Sequence, residues 1–390
     1  MSISSIPIAR PTLGELEAAA ARRAILSGWI TQGPEVAAFE EEFASFVGAS
    51  YACAVSNCTT ALHLALYSLG IGPGDEVATV SHSYIATANA IRHCGASPAF
   101  VDIDPRSYNM DPTLLEAAIT PRTRAILPVH QVGLPCDLTA ILEVADRHRL
   151  PVVEDAACAI GSQVRVGQNW ERIGRPHGMA ACFSFHPRKV LTTGDGGMIT
   201  TNDPELNRKF RLLRQHGMSI PDTVRHASKQ VVFEEYPVVG FNYRMTDIQA
   251  AVGRVQLERL PRILERRVEL AGRYSAALQE VPGLETPHVP ANLQPNYQSY
   301  AVRIGQNYPI GRDELMQRLL EQGISTRRGI MNAHQEPAYA GEGPVHLPHS
   351  EAARDEVILL PLFDALTEEE QDRVIEGLRD LASCLAGGAR

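Results

Sequence analysis

Lys189 lies in a stretch of residue types that could perform covalent chemistry. An apolar run, residues 179–185, precedes it, and a glycine-rich turn, residues 194–197, separates it from the strand-like run 198–201. This order predicts a lysine on a short loop between two strands. A loop lysine is either a solvated surface residue or an amine that forms a Schiff base with a carbonyl cofactor. Lys189 alone leaves both interpretations open.

Other polar groups lie at or just after the ends of predicted strands. Asp155, Tyr84 and the pair Thr59 and Thr60 each follow a strand-like run, and the threonines also begin an apolar helix. Ligands of parallel sheets bind beyond the carboxyl ends of the strands. These side chains are therefore candidates for one site.

Each of these residues also has a purely structural interpretation. The threonines suit a phosphate at a helix N-terminus, but they also suit a plain helix cap. Tyr84 can stack on a flat cofactor or pack under the next helix. A buried Asp155 needs a partner, which a protonated ring nitrogen, a salt bridge or a helix N-terminus would supply.

Together the four features match the requirements of pyridoxal 5′-phosphate. The lysine forms an imine with its aldehyde, and the carboxylate keeps the ring nitrogen protonated. The aromatic side chain supports the ring face, and the helix N-terminus holds the phosphate. We therefore expect this cofactor, with the amine of Lys189 acting as a general base once the substrate has replaced it.

Strand-like and helical runs alternate through the first half of the chain at a spacing typical of βαβ units. This predicts an α/β fold with a mostly parallel sheet. Beyond Pro261, which we expect to end or kink a helix, the chain becomes strongly charged and indicates a smaller α+β unit. We expect an N-terminal segment (1–29) packing with the small domain, a large cofactor-binding domain (30–255) and a small C-terminal domain (256–390). Residues 219–235 are expected to form a loop.

The composition narrows the classes of partner and the compartment. The chain has 390 residues and a net charge of −9, which argues against nucleic acid as a partner. Its seven cysteines include no Cys-x-x-Cys pair, so no metal site is indicated and a reducing compartment is expected. We find no signal peptide and no apolar run long enough to span a membrane, so we expect a cytoplasmic protein.

Several longer motifs resemble those of the DegT/DnrJ/StrS family of sugar aminotransferases, which have the fold type I architecture of pyridoxal-phosphate enzymes. The motifs are GWITQGP (28–34), EDAA (154–157), SFHPRK (184–189), TGDGG (193–197) and GFNYRMTDIQAA (240–251). The resemblance implies a large domain, whose mostly parallel central sheet is flanked by helices, and a smaller α+β C-terminal domain.

The resemblance also implies roles for individual residues. Lys189 matches the Schiff-base lysine, and Asp155 matches the acid that pairs with the ring nitrogen. Tyr84 is implied to stack on the cofactor ring, and Thr59, Thr60 and Ser184 are implied to bind its phosphate. Asn242 is implied to contact the cofactor phosphate of the neighbouring subunit. Arg327 and His334 are implied to lie near the substrate entrance. The role of Asn242 implies a homodimer with shared active sites. His186 is either a packing residue or a substrate contact.

Three departures from the family pattern affect the site. Cys158 stands where relatives commonly have glutamine or histidine beside the cofactor, and Cys58 stands where they usually have glycine. The stretch 328–333 differs from the usual aromatic- and proline-rich sequence that helps to shape the substrate pocket. Some relatives carry histidine in place of the lysine and dehydrate sugars, and Lys189 argues against that activity.

The expected function is transfer of an amino group from glutamate or glutamine to a keto-sugar, most often nucleotide-linked in this family. One alternative acceptor is a keto-cyclitol or another ketone of an antibiotic pathway. An alternative of another class is a non-catalytic regulator that binds the cofactor or a sugar. Arg327 and Arg328 are candidates for binding a substrate diphosphate, or they form a solvated basic turn.

Overall fold

The computed structural model describes residues 5–341 and 345–386. Its helices are α1 (Glu15–Ser27), α2 (Pro34–Val47), α3 (Cys58–Ser68), α4 (Ala86–His93), α5 (Pro112–Leu115), α6 (Leu138–His148), α7 (Pro204–Leu213), α8 (Asp222–Ala227), α9 (Asp247–Leu278), α10 (Arg312–Glu321), α11 (Pro348–Glu356) and α12 (Glu368–Ala386). None of them combines the length and the apolar character needed to cross a membrane.

The strands are β1 (Tyr51–Val55), β2 (Glu76–Val80), β3 (Ser97–Val101), β4 (Thr123–Leu127), β5 (Val153–Asp155), β6 (Gln163–Val166), β7 (Asn169–Arg172), β8 (Ala180–Ser184), β9 (Gly197–Thr201), β10 (Leu284–Glu285), β11 (Leu293–Gln294), β12 (Tyr300–Ile304), β13 (Arg327–Arg328) and β14 (Val357–Leu360). The sequence pattern predicts strands over residues 99–103 and 125–129, but the corresponding strands β3 and β4 each begin and end two residues earlier.

Seven strands form the central sheet in the order β3-β2-β4-β5-β8-β9-β1. Parallel bridges from Ile126 to Val152 and from Val129 to Asp155 join its two halves. Only β9 runs antiparallel to its neighbours. The predicted α/β class with a mostly parallel sheet is therefore confirmed. The carboxyl ends of β1, β2, β5 and β8 lie at one edge of the sheet, where the segments with the candidate residues begin.

Helix α9 does not end at Pro261, where the sequence predicted an end or a kink. The helix runs without interruption for 32 residues, with Pro261 inside it. Leu260 and Ile263 on either side of the proline are buried, so packing on both flanks offsets the cost of the missing backbone donor. The boundary expected between residues 255 and 256 thus falls inside a continuous helix, and the division into domains stays a prediction.

The N-terminal segment contacts both the C-terminal unit and the first turns of α9. Ile6 pairs with Ile324 beside the C-terminal sheet β10-β12-β14-β13. In contrast, Ala20 and Ala24 of α1 pack on Ala251, in the first turns of α9. The short helix α8 interrupts the loop that was expected over 219–235.

Polar side chains join the C-terminal unit to the edge of the central sheet. Asp102, which follows β3, accepts hydrogen bonds from the backbone N–H groups of His349 and Ser350 and from the hydroxyl of Ser350. His82, which follows β2, contacts the Asn332 amide oxygen through Nδ1 at 2.8 Å. These bonds fix the stretch 327–334 relative to the carboxyl ends of the strands.

Candidate active site

Asp155 ends β5 at the centre of the sheet and is buried. Its Oδ2 accepts a hydrogen bond from the hydroxyl of Thr87 at 2.8 Å, and its Oδ1 accepts one from the Ala157 N–H at 3.1 Å. Burial nevertheless raises the pKa of the carboxyl, because these bonds compensate only partly for lost hydration. In the described part of the chain no lysine, arginine or histidine forms an ion pair with Asp155. The charge of Lys189 offsets only part of the cost of burial, so the carboxylate lacks the directly paired cation that a buried charge requires.

Lys189 lies on the loop between β8 and β9, as the sequence predicted. Its N–H donates to the carbonyl of His186 at 2.8 Å, and its Nζ donates to the sulfur of Cys158 at 3.0 Å. Burial opposes the charged amine, but the contact with Cys158 and the charge of Asp155 outweigh it and raise the pKa of Lys189. The structure therefore brings Lys189 and Asp155 into one electrostatic cluster.

In the first turn of α3, the side chain of Thr60 takes part in the helix cap and that of Thr59 does not. Asn57 caps the helix by accepting a hydrogen bond from the Thr60 N–H at 2.9 Å. The hydroxyl of Thr60 donates to the Asn57 carbonyl at 2.8 Å, so this side chain completes the cap. The Thr59 hydroxyl makes no hydrogen bond within the described chain, and the N–H groups of Cys58 and Thr59 cannot reach a helical carbonyl. Thr59 is thus the better placed of the two for an anion.

Gly197 explains part of the glycine-rich turn. A Cβ atom at this position would lie 2.5 Å from the backbone carbon of Asn57. Only glycine therefore lets β9 begin directly beneath the N-terminus of α3. The close approach that this glycine permits is to the chain's own backbone.

Ser184 and His186 lie on the same loop as Lys189. The Ser184 hydroxyl accepts a long hydrogen bond of 3.4 Å from the His186 N–H, so most of its bonding capacity is left for another group. His186 is exposed, and its Nδ1 accepts a hydrogen bond from the Arg188 N–H at 3.2 Å. Partial burial and the charge of Arg188 lower the pKa of this histidine. The exposed position does not fit a packing residue.

Tyr84 and Arg327 lie together at the surface rather than in the buried cluster. Tyr84 is 65% exposed and interacts electrostatically with Arg327. Partial burial and the positive charges of Arg188 and Arg328 lower the pKa of Arg327. Arg188, Arg327, Arg328 and the exposed phenol of Tyr84 therefore form one cluster beside the loop of Lys189.

His334 and Asn242 make their contacts with residues other than Lys189 and Asp155. The Nδ1 of His334 lies 2.6 Å from the Ser81 hydroxyl, and its Nε2 lies 3.4 Å from a carboxylate oxygen of Glu351. This histidine therefore joins the C-terminal unit to the end of β2. Asn242 is exposed and pairs through its backbone with Gln215. Within the described chain, Asn242 forms no hydrogen bond with Lys189 or Asp155.

The sequence analysis missed two features of the site. The chain contains only three lysines, Lys189, Lys209 and Lys229, and the other two are exposed. Their scarcity in the sequence is itself a signal that favours a special role for Lys189. Thr87, the partner of Asp155, lies in the first turn of α4, where a threonine gives no distinctive signal.

A separate cavity of about 560 Å³ lies away from this cluster. Its lining includes Trp29, Gln32, Gly33, Arg211, Arg214 and His226, and none of the predicted site residues. We place the active site at the sheet edge, because the residues described in the structure bring the amine of Lys189 and the buried carboxylate of Asp155 together there.

A profile of the DegT/DnrJ/EryC1/StrS aminotransferase family matches residues 11–379. The chain is also 43% identical over 375 residues to GDP-perosamine synthase of Caulobacter vibrioides, an alignment that covers 96% of this chain and 97% of that protein. The chain belongs to this aminotransferase family. The sequence-based assignment to the family is therefore confirmed.

Solved structures agree with this assignment. DesV of S. venezuelae, determined in complex with a ketimine intermediate, has a TM-score of 0.87 and 38% identity, with 97% of this chain and 99% of that chain covered. Spr1654 of Streptococcus pneumoniae in its PLP-form has a TM-score of 0.90 and 29% identity, with coverages of 98% and 99%. The protein is a pyridoxal-phosphate-dependent aminotransferase.

The residues at the sheet edge fit this cofactor. The carboxylate of Asp155 lacks a cation, and a protonated pyridine nitrogen would supply one. The first turn of α3 with Thr59, and the hydroxyl of Ser184, would hold the phosphate, and the amine of Lys189 would hold the aldehyde. When bound, the cofactor acts as an electron sink for the carbon that gains or loses the amino group. We propose these residue assignments for the chain.

Replacing Asp155 tests the first assignment. The Asp155→Asn protein should lose roughly 30- to 4,000-fold in cofactor affinity or turnover, because losing one partner of a buried charge pair costs about 2–5 kcal/mol. Cofactor titration by absorbance and single-turnover kinetics with an amino donor measure the loss. Asp137→Asn, at the exposed cap of α6, is the matched control and should change neither quantity. Wild-type affinity and turnover in Asp155→Asn would contradict the assignment.

Proposed function

We propose that the protein transfers an amino group from glutamate or glutamine to a keto-sugar that carries a nucleoside diphosphate. The donor and the acceptor use the same site in turn, and Lys189 carries a proton to and from the reacting carbon in both half-reactions. The relative GDP-perosamine synthase, whose name states a nucleotide-linked amino sugar, supports this choice of acceptor. A cytoplasmic location is part of the proposal, since nucleotide-linked sugars are made there.

The cluster of Arg188, Arg327 and Arg328 carries the proposal. Arg188 and Arg327 form no ion pair within the described residues, and Arg328 lies 3.7 Å from Glu336. Each of the three is exposed, and partial burial together with the like charges of Arg188 and Arg328 lowers the pKa of Arg327. Uncompensated like charges beside a reactive lysine favour a multiply charged anion. A diphosphate matches this requirement, whereas a neutral keto-cyclitol does not.

The presence of both Lys189 and Asp155 disfavours a purely regulatory role. A regulator that only binds a sugar needs neither a reactive amine nor a buried carboxylate without a cation. Such a carboxylate costs stability unless a ligand compensates for it. The combination therefore supports catalysis.

Replacing single arginines tests the acceptor class. Arg188→Ala and Arg327→Ala should each raise KM for the nucleotide-linked keto-sugar by about 10- to 100-fold, because hydrogen bonds to charged groups contribute about 1.5–3 kcal/mol. KM for the amino donor should stay close to the wild-type value. The matched control is Arg318→Ala on the exposed face of α10, which pairs with Glu314.

The assay begins with the pyridoxamine form, made by adding glutamate or glutamine, and follows recovery of the absorbance of the lysine-bound cofactor. GDP-linked, TDP-linked and UDP-linked keto-sugars are compared with free keto-sugars and keto-cyclitols. If keto-cyclitols restore the absorbance and no nucleotide-linked sugar does, the proposed acceptor is wrong. If no amino donor changes the absorbance, the transfer reaction itself is wrong.

We propose that a second copy of the chain completes the site. The segment that leads to Asn242 exposes Val231, Phe233 and Val239 at 82%, 83% and 85%. An exposed apolar run of this kind marks a protein interface. Asn242 follows it directly and contacts neither Lys189 nor Asp155 in its own chain. This placement supports a homodimer in which Asn242 reaches the cofactor phosphate of the neighbouring subunit.

Subunit mixing tests the shared site. Asn242→Asp should inactivate by placing a negative charge against the phosphate, and Lys189→Ala should inactivate by removing the amine. An equal mixture of the two variants after subunit exchange should recover about a quarter of wild-type activity, because half of the dimers are mixed and each mixed dimer contains one intact site of two. Mixing each variant with itself is the control. No recovery in verified mixed dimers would contradict sharing of this residue.

A further inference from the structure

We propose that Cys158 is a positioning residue for Lys189: its sulfur, as a thiolate, holds the ammonium form of Lys189 whenever that amine is free. The proposal depends on the role of Lys189 in the aminotransferase reaction and not on the identity of the acceptor. It concerns a residue at which this chain differs from the glutamine or histidine common in the family.

The contact is fixed from both sides. Cys158 lies three residues beyond Asp155, and its carbonyl accepts a hydrogen bond from the Asn296 side chain at 2.8 Å. Lys189 is held by its N–H bond to the His186 carbonyl at 2.8 Å. Between these anchors Nζ and Sγ approach to 3.0 Å. At this distance the two groups share a proton, as amine and thiol or as ammonium and thiolate.

The surroundings favour the protonated form of Lys189. Asp155 at the end of β5 adds negative charge near Nζ, while Cys58 of α3 and Cys182 of β8 face the same cluster. Burial strongly raises the pKa of both Cys58 and Cys182, so these thiols stay neutral. Cys158 is only half-buried, and the described cysteines other than Cys158 are buried. The other titratable and charged groups near Lys189 are His186 and Arg188 on its own loop, and Asp195, whose charge acts on His186.

The pair has a consequence for proton transfer. Lys189 must give up a proton before it can act as a base on the substrate carbon. A thiolate at 3.0 Å stabilises the ammonium and therefore raises the pH at which the neutral amine becomes available. Removing the thiolate should lower that pH. In contrast, a neutral packing thiol would leave the pH dependence unchanged.

The experiment titrates Cys158 in the cofactor-free protein. The ultraviolet absorbance of the thiolate is followed with pH, and the absorbance of Cys158→Ser is subtracted so that the difference belongs to Cys158 whatever its accessibility. The same difference is measured in Lys189→Met and Lys189→Arg backgrounds. Lys189→Arg keeps a cation at the position but cannot hold the cofactor, so it is the matched control for Lys189→Met.

In the wild-type and Lys189→Arg backgrounds the thiolate should persist to a pH that is at least about one unit lower than in Lys189→Met. One pH unit is a tenfold difference in the ionisation constant. Identical titrations in the three backgrounds would overturn the proposal. The thermal unfolding midpoint of each variant verifies folding.

A second measurement uses the holoenzyme. In Cys158→Ser the acidic limb of the pH–rate profile for the donor half-reaction should move to lower pH, because Lys189 loses the thiolate that holds its proton. Cys158→Gln, which introduces the common family residue, should move it in the same direction. An unchanged limb in both variants would also overturn the proposal. Neither result depends on which keto compound is the acceptor.

Discussion

The uncompensated carboxylate of Asp155 is the constraint to which the rest of the site responds. A buried charge needs a cation, and within the described chain the hydrogen bonds from Thr87 and Ala157 give only partial compensation. The sheet places this carboxylate at its carboxyl edge, where the helix start at Thr59 and the loop of Lys189 also lie. Binding of a protonated ring nitrogen therefore satisfies a requirement that the polypeptide creates and does not itself meet.

The C-terminal unit is tied to the same edge. Ser81 and Asp102, which follow β2 and β3, bind His334 and Ser350 of the distant C-terminal part of the chain. Those bonds tie the part of the chain that follows Arg327 and Arg328 to this edge of the sheet. A catalytic cluster at the strand ends and a cationic cluster beside the loop of Lys189 are thus positioned by one set of strands, which explains how a chain with a net charge of −9 can favour an anionic substrate.

Sequence patterns predicted the features that follow from chain direction. Parallel strands bring their carboxyl ends together, so Asp155, Thr59 and Lys189 could be grouped from the sequence alone. Patterns failed where tertiary packing decides the outcome. Flanking contacts keep α9 continuous through Pro261, and capping by Asn57 occupies Thr60 but not Thr59. The exposure of Tyr84 depends on the fold around it, and the role of Asn242 involves a second chain, so neither could be read from spacing.

The most direct test of the account is to identify the amine that holds the cofactor. Borohydride reduction of the yellow holoenzyme fixes the cofactor covalently to that amine, and peptide mass spectrometry then locates it. Only Lys189, Lys209 and Lys229 are available as lysines. The account predicts that the cofactor mass is found on the peptide containing Lys189 and on neither of the other two. Attachment at Lys209 or Lys229 in the active enzyme would contradict the assignment on which the site is built.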